Sequence, residues 1–267
     1  MLRTQLRKFA AVARRQTLAA SSLMTGQQHQ LPAYLWATGR KRARDAAFNR
    51  DGFSKCQLIS KEQWRAFSDT VNEQVSAKGK ISQSQVDWAD NKRRYIDCDE
   101  PAIKPHVDRI TSSPAFAQAL ARALGTSEWE IFSTIIWRNY PEKYSPDGRE
   151  VNSTFYHVDN GGPARHRLLV NMFMYLSEVS SANGRFTYYN VEESKRINRR
   201  FVGEIRRAGN LRDFRLVEEI ERFIPPRELT LEPGEAVFID NQVCMHRAGY
   251  CTEGYRDIIE ILAWPKA

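Results

Sequence analysis

Between residues 57 and 79 the chain sets Trp64, Phe67, Val71 and Val75 at three- and four-residue intervals among polar neighbours. That spacing lines one face of an α-helix and predicts a helix here. Ser60 and Gln63 form a capping box, each side chain satisfying the other's exposed backbone amide, and Gly79 ends the run. A second helix is expected over 112–125, with Ser113 as N-cap, Pro114 at the first position and Gly125 past the last turn.

From residue 129 the period changes to two. "WEIFSTIIWRNY" (129–140) is β-branched and aromatic, as strands are. In "RHRLLVNMFMYL" (165–176), Leu168, Val170, Met172, Met174 and Leu176 form one apolar face, and Arg167, Asn171 and Tyr175 share the other. "SSANGRFTYYN" predicts two strands about an Asn183-Gly184 turn. "LTLEPGEAVFIDNQVCMHRAG" predicts a strand that leaves the Pro233-Gly234 turn and delivers His246 at its end. "GYRDIIEILAW" follows as another strand, across a short loop at Gly249–Gly254. Residues 192–223 break the β-region with helix and loop dense in Arg and Glu. Helices first, then short antiparallel strands between turns, predict an α+β fold with a jelly-roll or related barrel.

Domain organisation follows from the same reading. A polar, basic arm is expected over 1–55 and one domain over 56–267, with the helical insert at about 192–223; 267 residues suffice for a single large core. The first 24 residues hold no acid, and the first acidic residue is Asp45. Such a stretch has the character of either a mitochondrial transit peptide, if the source is eukaryotic, or a basic surface helix. Cys56, Cys98, Cys244 and Cys251 form no C-x-x-C pair, which fits a reducing, cytoplasmic setting. No apolar run reaches the roughly 20 residues needed to span a bilayer.

The net charge of +8 suits an anionic partner such as a phosphorylated or carboxylate metabolite. No nucleic-acid motif is present, so none is expected to bind. In the insert, Glu192, Glu193, Glu204, Glu218, Glu219 and Glu221 nearly balance the basic residues. That favours a solvated helix over a lid that grips an anionic substrate.

The tripeptide His-Val-Asp occurs twice among only five histidines. His106 and Asp108 follow Pro105 and precede a helix start, where nothing fixes both side chains on one ion. His157 and Asp159 lie in "STFYHVDN", a β-prone segment in which residues i and i+2 project to one side. Imidazole and carboxylate together suit iron(II) or manganese. His246 supplies a third donor, and Arg256 follows ten residues later in the next strand. A two-histidine, one-carboxylate set leaves open positions for a bidentate 2-oxo acid and dioxygen, and an arginine fork suits the oxo acid's far carboxylate. Asn171 and Tyr175 become candidates for hydrogen bonds to cosubstrate or substrate if their face looks into the barrel. Cys244, two residues before His246, is better read as a small packing residue than as a fourth ligand.

The ordered set His157-x-Asp159, His246 and Arg256 resembles the Fe(II)/2-oxoglutarate-dependent dioxygenases. More narrowly, "HRAG" with "GYR", "YLSEVSSANGRF" and the "SSPAFAQALARALG" helix resemble the phytanoyl-CoA dioxygenase-like branch, over roughly residues 100–264. The resemblance implies a double-stranded β-helix with Fe(II) on His157, Asp159 and His246, and with 2-oxoglutarate anchored by Arg256. It implies hydroxylation of a small or carrier-linked substrate, consuming O2 and releasing succinate and CO2. Asp159 argues against halogenation, because the related iron halogenases put a small residue there. Two other readings stay open at this point: a cupin-type metal isomerase or epimerase, and a catalytically silent barrel acting as a binding protein.

Overall fold

The computed structural model describes residues 44–77, 93–139, 156–159, 169–208, 214–249 and 251–266. The acid-free N-terminal stretch, His29, His166, Arg167 and Leu168 lie outside the described residues. In chain order the elements are α1 (Ala46–Asp51), β1 (Phe53–Gln57), α2 (Lys61–Ala77), β2 (Arg93–Ile96), α3 (Lys104–Thr111), α4 (Pro114–Leu124), β3 (Trp129–Asn139) and β4 (Val170–Tyr175). They continue with β5 (Thr187–Tyr188), α5 (Val191–Ala208), α6 (Phe214–Phe223), β6 (Arg227–Glu228), β7 (Glu235–Ile239), β8 (His246–Arg247) and β9 (Arg256–Pro265).

Two antiparallel sheets face each other. The larger runs β1-β7-β4-β9-β3-β2 and the smaller β6-β5-β8. The alternation in β4 sorts the core as its sequence predicts. Val170, Met172, Met174 and Leu176 pack outward against α2 and α4, through Phe67, Val71, Phe116 and Leu120. Phe173 and Tyr175 turn inward, meeting Val237, Ile239, Ile258 and Phe186 between the sheets. Helices on one face of an antiparallel sheet and a second sheet on the other give the α+β jelly-roll expected.

The helix ends behave as their sequences require. The Ser60 amide donates to Gln63 Oε1 at 2.9 Å, and the Gln63 amide returns to Ser60 Oγ at 3.3 Å. Ser113 Oγ accepts the Phe116 amide at 3.1 Å, and Gly125 closes α4 with φ of 73°. Among the described residues no helix is long and apolar enough to cross a membrane, and none of the four cysteines is in a disulfide.

Three expectations change. Residues 44–55 are not all arm: Arg44 pairs with buried Asp240 at 2.7 Å, Phe48 is buried, and β1 joins the sheet edge beside β7. Second, Asn183-Gly184 does not turn a hairpin. Asn183 accepts the Ser180 amide and donates to the Glu178 and Tyr255 carbonyls, tying off an arch that carries the chain from β4 in one sheet to β5 in the other. Third, the strand leaving Pro233-Gly234 stops at Ile239. The Val243 and Cys244 amides both return to the Asp240 carbonyl in a turn, so His246 begins a separate strand in the smaller sheet.

The insert is a helix pair, α5 and α6, and it packs against the smaller sheet. Ile197, Phe201, Val217 and Ile220 bury their side chains against Tyr156, Tyr189 and Met245. Pairs such as Arg199–Glu192 and Arg222–Glu218 lie on its exposed side, while Glu221 turns toward the smaller sheet and pairs with Arg247. The solvated reading holds for the charged face; the apolar face is a docking surface for the strands beneath it.

Candidate metal centre

The first His-Val-Asp copy lies within α3, where residues two apart diverge around the helix axis. His106 stacks on Phe67 with ring centroids 4.9 Å apart, and its Nε2 lies 3.2 Å from Thr70 Oγ1. Asp108 pairs with Lys104 one turn earlier. Both are structural residues, as their loop-or-helix context suggested.

The second copy is extended. His157 and His246 face each other as an antiparallel bridge, each amide donating to the other's carbonyl at 2.9 Å. Two residues on, the Asp159 amide donates to the Asn241 carbonyl at 2.8 Å. The backbone therefore sets three side chains on one side of the smaller sheet. Asp159 Oδ1 is 3.6 Å from His157 Nε2 and 3.8 Å from His246 Nε2, and the three donor atoms lie within 4.8 Å of one another. A first-row ion held at about 2.1 Å spaces adjacent octahedral donors by about 3 Å, so a small side-chain adjustment closes these around one ion.

The surrounding hydrogen bonds prepare His246 and Asp159. The Cys244 carbonyl, which can only accept, lies 2.9 Å from His246 Nδ1. It therefore fixes the proton on Nδ1 and leaves the Nε2 lone pair toward Asp159. Burial, together with the neighbouring His157, lowers the pKa of His246 to about 4, so its ring is neutral at physiological pH. Phe186 stacks on the same ring, with centroids 5.4 Å apart. Asp159 Oδ2 accepts from Asn241 Nδ2 at 3.1 Å and from Asn171 Nδ2 at 3.4 Å, which leaves Oδ1 to the histidines. The amide oxygens of Asn171 and Asn241 are buried with no hydrogen-bond partner among the described residues, so polar capacity around Asp159 is left for an occupant.

Asn171 thus supports the carboxylate and also reaches Glu260 Oε1 at 2.6 Å. Tyr175, expected beside it, accepts the Phe186 amide at 3.1 Å and keeps its own hydroxyl proton to donate. Burial raises the Tyr175 pKa, and the positive field of Arg256 opposes that rise. Arg256 begins β9, is buried, and donates through one Nη to the Gly249 carbonyl at 3.4 Å. Its neighbour Asp257 points away and pairs with Arg138, so Asp257 does not neutralise Arg256. Contacts run from Tyr175 through Phe186 to His246. Cys244 packs its sulfur against the Asp51 and Gly52 carbonyls, as a buried packing residue; a Cβ at Gly52, whose φ is 80°, would sit 2.2 Å from that sulfur.

Asn241, Phe186 and the Cys244 carbonyl carry no signal in the linear sequence. Only Asn241 stood near one, as the polar residue where an apolar strand stops.

No family model matches the chain, and no curated protein matches it in sequence. Solved structures match in fold. The non-haem 2-oxoglutarate-dependent carbocyclase SnoK from nogalamycin biosynthesis is 16% identical, with a TM-score of 0.55, covering 82% of this chain and 81% of its own. EctD from S. alaskensis, solved with 2-oxoglutarate and 5-hydroxyectoine, is 14% identical, with a TM-score of 0.56, covering 84% of this chain and 75% of its own. EvdMO1 is 16% identical, with a TM-score of 0.55; it aligns with 85% of this chain, which spans only half of EvdMO1's length. The chain shares their fold.

Proposed function

We propose that this chain is a non-haem Fe(II)/2-oxoglutarate-dependent oxygenase of the phytanoyl-CoA dioxygenase-like branch, hydroxylating an unactivated C–H bond of a small organic substrate. The observation that carries the reading is the convergence of His157, Asp159 and His246, with the two histidines paired through their backbones and the His246 ring and Asp159 carboxylate each held by a hydrogen bond. Two imidazoles and one carboxylate on one side of an ion leave the opposite side open, the arrangement of non-haem iron oxygenases. The fold shared with SnoK and EctD supports it.

The bound iron, with 2-oxoglutarate and O2, would supply an oxidative decarboxylation to succinate and CO2 that is coupled to oxidation of the substrate. The rest falls to the chain. His246 enters neutral, with its Nε2 lone pair available without proton loss. Asn241 and Asn171 hold Asp159 in one rotamer. Arg256 offers a planar fork to the distal carboxylate of the oxo acid, and Tyr175 offers a hydroxyl proton from the adjoining strand. The inward faces of β4, β7 and β9, with Phe173, Val237, Ile239 and Ile258, line the space between the sheets and exclude water from it.

The test is an anaerobic titration of iron-loaded protein with 2-oxoglutarate, following the visible charge-transfer absorption of the chelate. The band is expected in the wild type and in His106→Ala, weakened in Arg256→Ala and absent in His246→Ala. Iron-loaded wild type without a band would overturn 2-oxoglutarate chelation in favour of an isomerase or a silent barrel. Hydroxylation is then tested by recovering an oxygenated product together with succinate.

A further inference from the structure

We infer that Glu221, on the helical insert, is a positioning residue for both histidine ligands; the inference rests on the metal centre proposed above. Glu221 Oε1 accepts two hydrogen bonds, from the Tyr156 hydroxyl at 2.9 Å and from Arg247 Nη2 at 2.7 Å. Tyr156 directly precedes His157, and Arg247 directly follows His246. Adjacent residues of an extended chain point to opposite faces. The carboxylate therefore grips the outer face of the same two-strand bridge whose inner face bears the imidazoles.

The grip is half-buried and has several arms. The Arg247 guanidinium lies over the Tyr156 ring at 5.3 Å, and its side chain is 13% exposed. From α5, buried Ser194 accepts the Met245 amide at 2.9 Å, one residue before His246. The Tyr189 hydroxyl donates to the Ile224 carbonyl just past α6, closing the insert onto β5. Both ligand-bearing segments are short: His157 forms an isolated bridge and β8 has two residues. Strands this short have few ladder bonds to hold their register, and the insert provides the missing constraint. Its placement explains why an Arg- and Glu-rich helix pair is inserted after β5, next to the ligand strands, while its charged face stays in solvent.

Outer partners of metal ligands commonly set metal affinity by about 10- to 100-fold when removed. Glu221 acts one bond further out, so Glu221→Ala is expected to weaken Co(II) binding by about tenfold and to change the ligand-field spectrum of the Co(II) protein. Glu221→Gln, whose amide oxygen still accepts both bonds, should restore the affinity and the spectrum. Tyr156→Phe, which keeps the packing and loses one bond, should show a smaller loss of affinity than Glu221→Ala and a shifted spectrum, and carries the test by itself against wild type if Glu221→Ala proves too unstable to assay. Glu218→Ala, on the solvent side of α6, should match wild type. Wild-type affinity and spectrum in both Glu221→Ala and Tyr156→Phe would overturn the inference, as would a Gln variant as weak as the Ala variant. Failure of the wild type itself to bind Co(II) is a different result, and overturns the metal centre.

Discussion

His157 and His246 exchange both of their backbone hydrogen bonds, each at 2.9 Å. This is the hydrogen-bonded pair of an antiparallel ladder, which fixes the two Cα atoms and the side from which both rings project. The donors are therefore gathered by the backbone, ahead of any ion. The metal-free protein is expected to stay folded, with far-UV circular dichroism unchanged by a chelator. Metal at a hundredfold excess over its Kd should add about 2.7 kcal/mol of stability by mass action, seen as a higher Tm. Loss of β signal on chelation would show instead that the ion assembles the site.

Asp159 has one oxygen committed to Asn241 and Asn171 and the other facing the histidines. Without the Asn241 amide, Oδ2 is free to rotate inward and the carboxylate loses its single orientation. Asn241→Ala should weaken metal binding by about 10-fold or more, read by competition with a chromophoric chelator, with little change in Tm of the metal-free protein. Equal affinity in the variant would mean that the bridge alone orients the carboxylate.

Arg256 separates cosubstrate binding from metal binding. A lysine there keeps the charge but offers one ammonium in place of a planar fork. One lost charge-assisted hydrogen bond is worth about 1.5–3 kcal/mol, so Arg256→Lys should raise the 2-oxoglutarate KM by about 10- to 100-fold and leave Co(II) affinity unchanged. If metal affinity falls in parallel, Arg256 is a structural residue of the centre.

The parts of this architecture legible in the sequence are those written in local periodicity. Phe67, Val71 and Val75 mark the buried stripe of α2, and the alternation through Met172 and Met174 assigns both faces of β4. His157, Asp159 and His246 were legible because an extended His-x-Asp already brings two donors to one side. What was hidden depends on tertiary pairing. The Asn183-Gly184 turn reads as a hairpin until the strands on either side are seen in different sheets. Asn171 reads as a contact to cosubstrate or substrate, and nothing local in the sequence shows that its amide also meets Asp159. Glu221 reads as one of many insert charges, because its partners are 65 and 26 residues away.

The depressed pKa of His246 makes the metal-free protein sensitive to acid. The unfolded chain binds a proton on this ring below about 6.5, whereas the folded protein, burying it, does so only near 4. Between those values the unfolded state holds more protons, so stability rises with pH across the window and is lost as pH falls from 6.5 toward 4. Thermal melts at half-unit pH steps should show this slope, and His246→Gln should flatten it. A variant with the wild-type slope would assign the acid sensitivity to the carboxylates instead.

Arg138 holds Arg256 from behind. Its guanidinium grips Asp257 at 2.7 and 2.6 Å, lies 3.8 Å from the centroid of the Tyr255 ring, and bonds Asn72 of α2, which also accepts the Tyr255 hydroxyl at 3.1 Å. The residues on both sides of Arg256 are thus pinned to one cation on the outer face of the sheet, and β3 and β9 are in register there, Arg138 opposite Asp257. Asp257 is fully buried; burial raises its pKa, and Arg138 opposes the rise. Arg138→Met would leave that carboxylate buried without its cation, a change that costs about 3–5 kcal/mol and should lower Tm by about 10 °C. Because the pinned residues flank Arg256, the 2-oxoglutarate KM should rise as well, at a temperature where the variant is fully folded. Adding Asp257→Asn to Arg138→Met removes the stranded charge and should recover part of the Tm without recovering KM. Recovery of both would mean that the pair serves stability alone.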